Sequence, residues 1–224
     1  MRFYLLLVAV LATAGCGTTK TNVSNLAEAQ KYDPASTARI RLITGGGESF
    51  GYVGGQSCET YYNVSRKSGI VPPPGWRVVR SHTSEEMIPF SSHYPSDYYN
   101  NVIGMPASAK TQRIDATHGY FDERVVPAGQ NFIADLSLGT RGSSCSPAPA
   151  SFTPQAGKDY EVRLDYTAHS YFGPVTCRVG VYELQSAGSV ASVTKDVPVA
   201  ANYCVSDATG TYRTLEARSV AQPR

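Results

Sequence analysis

What this chain has little of is charge, and what charge it carries is not gathered anywhere. Charged residues make up 17% of its 224 positions, the formal net charge is +2, and acids and bases are interspersed. The lack of a basic block or an acidic tail argues against nucleic acid and against electrostatic membrane binding. Long apolar runs are missing too. The longest, Phe3 to Ala12, is about half the ~20 residues that a membrane-crossing helix needs. Histidine is scarce: His82, His93, His118 and His169 never stand at i,i+2 or i,i+4, so no strand or helix presents a metal-ligating pair. Gly45-Gly46-Gly47 is not followed by the Lys-Ser/Thr of a phosphate loop. No Gly-x-Ser-x-Gly nucleophile elbow is expected, and the run of predicted strands leaves no strand-to-helix turn to hold one. The sequence therefore predicts no metal, no cofactor and no catalytic residues; it reads as a non-enzyme.

What is present begins at the N-terminus. Met1-Arg2 supplies a positive start, Phe3 to Ala12 an apolar core, and Thr13-Ala14-Gly15 a small-residue stretch ahead of Cys16. That is the layout of a secretory signal peptide. With cysteine directly after the small residues it resembles the lipobox of bacterial lipoproteins, although Thr13 stands where that motif prefers leucine. The resemblance implies cleavage after residue 15 and a lipidated Cys16. Palmitate and its companion chains would then hold the protein to a membrane, each buried methylene contributing roughly 0.8 kcal/mol. Gly17 is not the aspartate that retains such proteins in the inner membrane, so the expected location is the outer membrane, facing the periplasm. A plain cleaved signal peptide is the alternative.

Besides Cys16 there are four cysteines, Cys58, Cys145, Cys177 and Cys204. None are spaced as a C-x-x-C metal site, and an even number in an exported chain reads as disulfides, with three connectivities open. The preferred pairing is Cys145 with Cys177 and Cys58 with Cys204. It rests on Cys145 preceding one predicted strand and Cys177 lying in the next, so that a bridge staples neighbours.

The clearest strand is Tyr160 to Ala168, where apolar or aromatic residues at even positions alternate with polar ones. A period of two predicts one buried and one wet face. Phe132-Ala134-Leu136-Leu138 and Cys177-Val179-Val181 repeat it. Trp76–His82, Tyr120–Val126 and Val190–Val199 are further expected strands, the last at an edge or ended by Pro198. Ala38–Thr44 and Ser49–Val53, split by three glycines, read as a hairpin. Helical signals are confined to a turn at Leu26–Ala29, a capped turn at Thr83–Met87, and Thr211–Val220. The fold class is all-β, an antiparallel β-sandwich with a long inserted loop. The expected organisation is a signal peptide over 1–15, a lipidated N-terminus and flexible tether over 16–37, a sandwich over 38–206 with an insertion at 69–117, and a C-terminal tail over 207–224.

Three stretches carry a further resemblance: Ala38-Arg39-Ile40-Arg41, Val126-Pro127-Ala128-Gly129-Gln130, and Phe152-Thr153-Pro154-Gln155-Ala156-Gly157-Lys158-Asp159-Tyr160. They resemble a loose group of uncharacterised proteobacterial lipoproteins, over about Ala38 to Leu184. The resemblance implies a small transthyretin- or immunoglobulin-like sandwich in the envelope. It implies no reaction, because the motifs are turns in which Gly129 and Gly157 permit positive φ.

Function rests on one stretch within the insertion. Tyr94, Tyr98 and Tyr99, with Trp76 and Phe90 nearby, offer large apolar area with polar handles. Such a cluster serves a protein partner, serves as a stacking platform for sugar rings, or simply covers one face of the sandwich. The leading expectation is a non-enzymatic interaction module for another envelope protein. The alternative is a glycan- or peptidoglycan-binding lipoprotein using that loop.

Overall fold

A computed structural model describes residues 21–44, 48–65, 77–79, 99–117, 120–139, 144–168, 175–186, 194–206, 209 and 212–216. Two sheets pack face to face as an all-β sandwich. The first runs, in spatial order, β1 (Thr21–Ser24), β5 (Tyr99–Val102), β6 (Tyr120–Pro127), β2 (Thr37–Thr44), β10 (Asp159–Ala168), β11 (Val175–Gln185) and β12 (Lys195–Pro198). The second runs β14 (Tyr212–Leu215), β13 (Asn202–Ser206), β9 (Ala150–Phe152), β7 (Phe132–Gly139), β3 (Glu48–Gly54) and β4 (Arg77–Val79), with β8 (Ser144–Cys145) on β7. Among the described residues three short helices accompany them, α1 (Leu26–Ala29), α2 (Cys58–Ser65) and α3 (Ala109–Thr117).

The alternation of β10 sets the core. Tyr160, Val162 and Leu164 turn inward with Ala38, Ile40 and Leu42 of β2, and meet Phe132, Ala134 and Leu136 of β7. An aromatic run crosses the layers: Tyr52 stacks on Phe132 at 5.2 Å, Phe132 meets Phe152 at 5.6 Å, and Phe152 meets Tyr160 at 5.3 Å. Such pairs add to the area they bury. Pairing in the second sheet is antiparallel, whereas the first is mixed. There β10 runs antiparallel to β11 but parallel to β2, with Tyr160 opposite Ile40, and β1 lies parallel to β5.

Both disulfides follow the preferred pairing. Cys58 on α2 joins Cys204 on β13 with Cα atoms 5.2 Å apart, and Cys145 joins Cys177 at 6.3 Å. The second does so for a different reason than expected. β8 belongs to one sheet and β11 to the other, so this bridge ties the layers together instead of stapling neighbours.

Other expectations change as well. The glycine-split pair is no hairpin: β2 pairs β6 and β10, while β3 pairs β7 and β4, so these successive strands lie in different layers. The stretch read as tether is partly folded. β1 lies in register with β5 from Thr21 opposite Tyr99, and Asn25 caps α1 by accepting from the Glu28 N–H at 3.1 Å. Asp33 then builds a local turn, accepting from the Ala35 N–H and the Ser36 hydroxyl. These are local side-chain bonds, two of them to backbone N–H groups, that leave no periodic signature. Within the stretch read as a C-terminal tail, Tyr212–Leu215 is a strand, not part of a helix. Its ladder with β13 overrides local preference.

Helix α2 has a signal that the strand pattern masks. Ser57 caps it through the Thr60 N–H at 3.1 Å, and Cys58, Tyr61 and Tyr62 repeat at helical spacing. They bury themselves with Val53, Ile133 and Cys204 in a satellite core. The Tyr62 hydroxyl donates to the Cys204 carbonyl at 3.0 Å.

Candidate functional site

Two polar regions stand out, and they are built on opposite principles. The first lies on the face of the first sheet turned away from the core, where the alternating pattern predicts water. At its centre Arg41, Glu123 and Glu161 are instead buried, at 2%, 1% and 0% exposure. Their cover is the strap Ile103–Ser108, which leads from β5 into α3. Register explains the meeting: Arg41 stands directly opposite Glu123 on β6, and Glu161 opposite Arg41 on β10.

The bonds there take up every carboxylate oxygen of the two glutamates and leave Arg41 Nη1 buried without a hydrogen-bond partner. Arg41 Nη2 donates to Glu123 Oε1 at 2.6 Å and to the Pro106 carbonyl at 2.8 Å. Glu123 Oε2 accepts the Ile103 and Met105 N–H groups at 2.7 and 3.3 Å. Glu161 Oε2 accepts the Ser108 hydroxyl at 2.6 Å and lies 3.7 Å from Arg41 Nη1, while its Oε1 accepts from Arg163. Arg163 also donates to Asp196 at 2.9 Å and lies over the Tyr182 ring at 3.8 Å. Burial works against the Arg163 charge, but the carboxylates of Asp196 and Glu161 outweigh it and hold the guanidinium above its ordinary range. Burial also raises the Tyr182 phenol, helped by its bond to Asp165. Both oxygens of Glu123 and both of Glu161 are thus committed to internal donors. This is a clamp for the strap, and its carboxylates are not presented to a substrate.

The second region is a cleft of about 520 Å³ over the second sheet. The end of β3, the start of α2, the turn before β7, and strands β9, β13 and β14 all contribute to it. Its polar lining is Gln56, Ser57, Gln130, Asn131, Asn202 and Thr214, with Ser151 behind and the Cys58 disulfide at its wall. Asn131 is the fixed point. Its Nδ2 donates to the Gln56 carbonyl at 2.5 Å, its Oδ1 accepts from the buried Ser151 hydroxyl at 2.7 Å, and its carbonyl accepts the Gly55 N–H at 2.7 Å. Gly55 holds φ +72°, and a Cβ there would come within 3.3 Å of Gln130 Oε1, so glycine keeps the rim open. Gln130, Asn202, Ser57 and Thr214 are exposed. No lysine, arginine, aspartate or glutamate lines the cleft among the described residues.

Gln130 is placed by turns that are legible in the sequence. Gly129 and Gly157 take φ +74° and +75°. The Gly129 N–H donates to the Pro154 carbonyl at 2.9 Å, so the two turns meet at one end of the sandwich.

The residues singled out in the sequence fall elsewhere. Cys16, Trp76, Phe90, Tyr94 and Tyr98 lie outside the described residues, as do all four histidines and the turn at Thr83–Met87. Tyr99 begins β5, but its side chain lies outside the described set. The aromatic cluster as a whole thus falls outside what the structure describes. One stretch escapes the strand-pattern reading: Gly47-Glu48-Ser49-Phe50-Gly51 has the Gly-x-Ser-x-Gly spacing. Ser49 sits within β3, opposite Ser137 of β7, and not on the sharp strand-to-helix turn that an elbow requires. Among the described residues, no group of three His, Cys, Asp or Glu is placed to hold a metal, and no helix is long and apolar enough to cross a membrane. No family model, curated protein or solved structure matches the chain.

Proposed function

We propose that this chain is a lipid-anchored envelope lipoprotein that works without catalysis, recruiting another envelope protein to the periplasmic side of the outer membrane. The observation that carries this reading is the outer edge of β1. That strand ends the first sheet, pairing only with β5 among the described residues, and it exposes Val23 at 43% with Leu26 of α1 beside it at 68%. A free edge with apolar side chains is the setting for strand addition, in which main-chain bonds supply affinity and alternate side chains supply selectivity.

The leader gives this edge its position. Thr21 is the fifth residue after Cys16, so a lipid on that cysteine keeps β1 within ~18 Å of the acyl chains even when the link is fully extended. The partner suited to this geometry is membrane-proximal and offers an extended segment. The glycan alternative through Tyr94, Tyr98, Tyr99 and Trp76 is separated in the same test.

The test places a photo-crosslinking amino acid at Val23 in intact cells, with Leu215 on the β14 edge as comparison. A discrete protein adduct from position 23, absent from 215 and lost in Cys16→Ser together with labelled palmitate, is the expected result. The absence of any protein adduct at 23 overturns the reading. Adducts carrying cell-wall fragments, lost in the triple alanine variant of Tyr94, Tyr98 and Tyr99, move it to glycan binding.

A further inference from the structure

The cleft over the second sheet lies on a different layer from the β1 edge, and a ligand held there is independent of any partner recruited by that edge. We propose that this cleft is a binding site for an uncharged, N-acetylated sugar. The argument starts from what its walls offer. Gln130 and Asn202 bring exposed carboxamides, each with a donor and an acceptor in one plane, Ser57 and Thr214 bring exposed hydroxyls, and Gln56 and Asn131 form the fixed floor beneath them. Groups of that kind match the neighbouring hydroxyls and the acetamide of an amino sugar, which also present donor and acceptor side by side. A charged ligand finds no countercharge among the described lining residues, so nothing in the cleft favours it over a neutral one.

Peptide binding by strand addition fits less well. At Gly55 and Asn202 the main-chain groups of the rim are already engaged. The Gly55 N–H is given to Asn131, and Asn202 is in register with Ser151 in the β13–β9 ladder. Side chains are what the cleft has to offer. Its floor is fixed, because Asn131 is pinned at both ends of its amide and the disulfide ties α2 to β13. A preorganised floor spares the ligand the cost of ordering it. The size is also apt: about 520 Å³ falls in the range of small-molecule sites.

The test is a calorimetric titration of the disulfide-intact protein with N,N′-diacetylchitobiose, set against chitobiose, whose free amines are cationic. Saturable binding of the acetylated sugar is expected, about tenfold or more tighter than chitobiose. In Gln130→Ala with Asn202→Ala it falls by at least about tenfold while the melting curve is unchanged; Thr214→Val provides a single exposed change should that pair disturb the fold. The proposal is overturned by no saturable binding, by equal binding of the cationic sugar, or by affinity that none of these substitutions alters.

Discussion

The clamp and the cleft hold comparable numbers of polar side chains and use them oppositely. Around Arg41 the groups are mostly charged and buried, and the oxygens of Glu123 and Glu161 are all taken by internal donors, with none left over for a visitor. Around Asn131 they are neutral, and most stand in water. Buried charge in this molecule holds architecture: it glues the strap Ile103–Ser108 onto a sheet face that would otherwise be wet. Neutral polarity is what the surface keeps available. The contrast follows from the energetics. An unmatched buried charge costs several kcal/mol, while an exposed amide costs almost nothing and keeps its bonding capacity.

The sharpest way to break the comparison is Arg41→Met. It leaves Glu123 buried without its cation and Glu161 with Arg163 alone, and should destabilise the fold by ~3–5 kcal/mol, read as a fall in the urea midpoint. A midpoint that stays in place would mean the clamp is not holding the strap. Next comes Cys58→Ser with Cys204→Ser, which frees the wall of the cleft and should lower stability by ~2–5 kcal/mol. Denaturation with and without reductant checks it: the wild type shifts and the variant shifts less.

Acid acts at a smaller scale, through carboxylates outside both regions. Burial pushes the Glu28 carboxyl up, but the Lys31 ammonium and the Val125 N–H outweigh it and leave it below its ordinary value. The bond from Lys158 lowers Glu183 likewise. A carboxyl depressed in the folded state contributes stability above its unfolded pKa and loses it as pH falls through the folded value. Glu28→Gln should therefore flatten part of the acid side of the stability curve, by less than ~1 kcal/mol and less still at high salt. Smallest of all, Gln130→Ala and Asn202→Ala should each change the urea midpoint by less than ~0.5 kcal/mol in equivalent stability. A larger loss would mean the cleft, too, is built from structural bonds.

How much of this was legible depends on the range of the cause. The inward row Tyr160-Val162-Leu164 was readable because a period of two is written in consecutive residues, and Gly129 and Gly157 because a turn carries its own chemistry. The fate of the outward row was not. Glu161 is buried by a strap some fifty residues away in the chain, whose contribution is mostly backbone carbonyls and N–H groups that any sequence supplies. The cleft was invisible for a related reason: its amides come from separate segments with no spacing between them to read. The folded part of the expected tether depended on Asn25 and Asp33, whose bonds are local yet aperiodic.

The parallel ladder between β2 and β10 also fixes an order of events. Arg39 and Asp159, which pair within it, are 120 residues apart. Synthesised from its N-terminus, the chain presents Ile40 and Leu42 long before the strand that will flank them exists. Contacts of such high sequence separation slow folding, because the loop must close before the ladder rewards it. Any partly made chain shorter than about Val162 therefore has an unfinished central sheet, and the protein becomes itself only when more than two thirds of it has emerged.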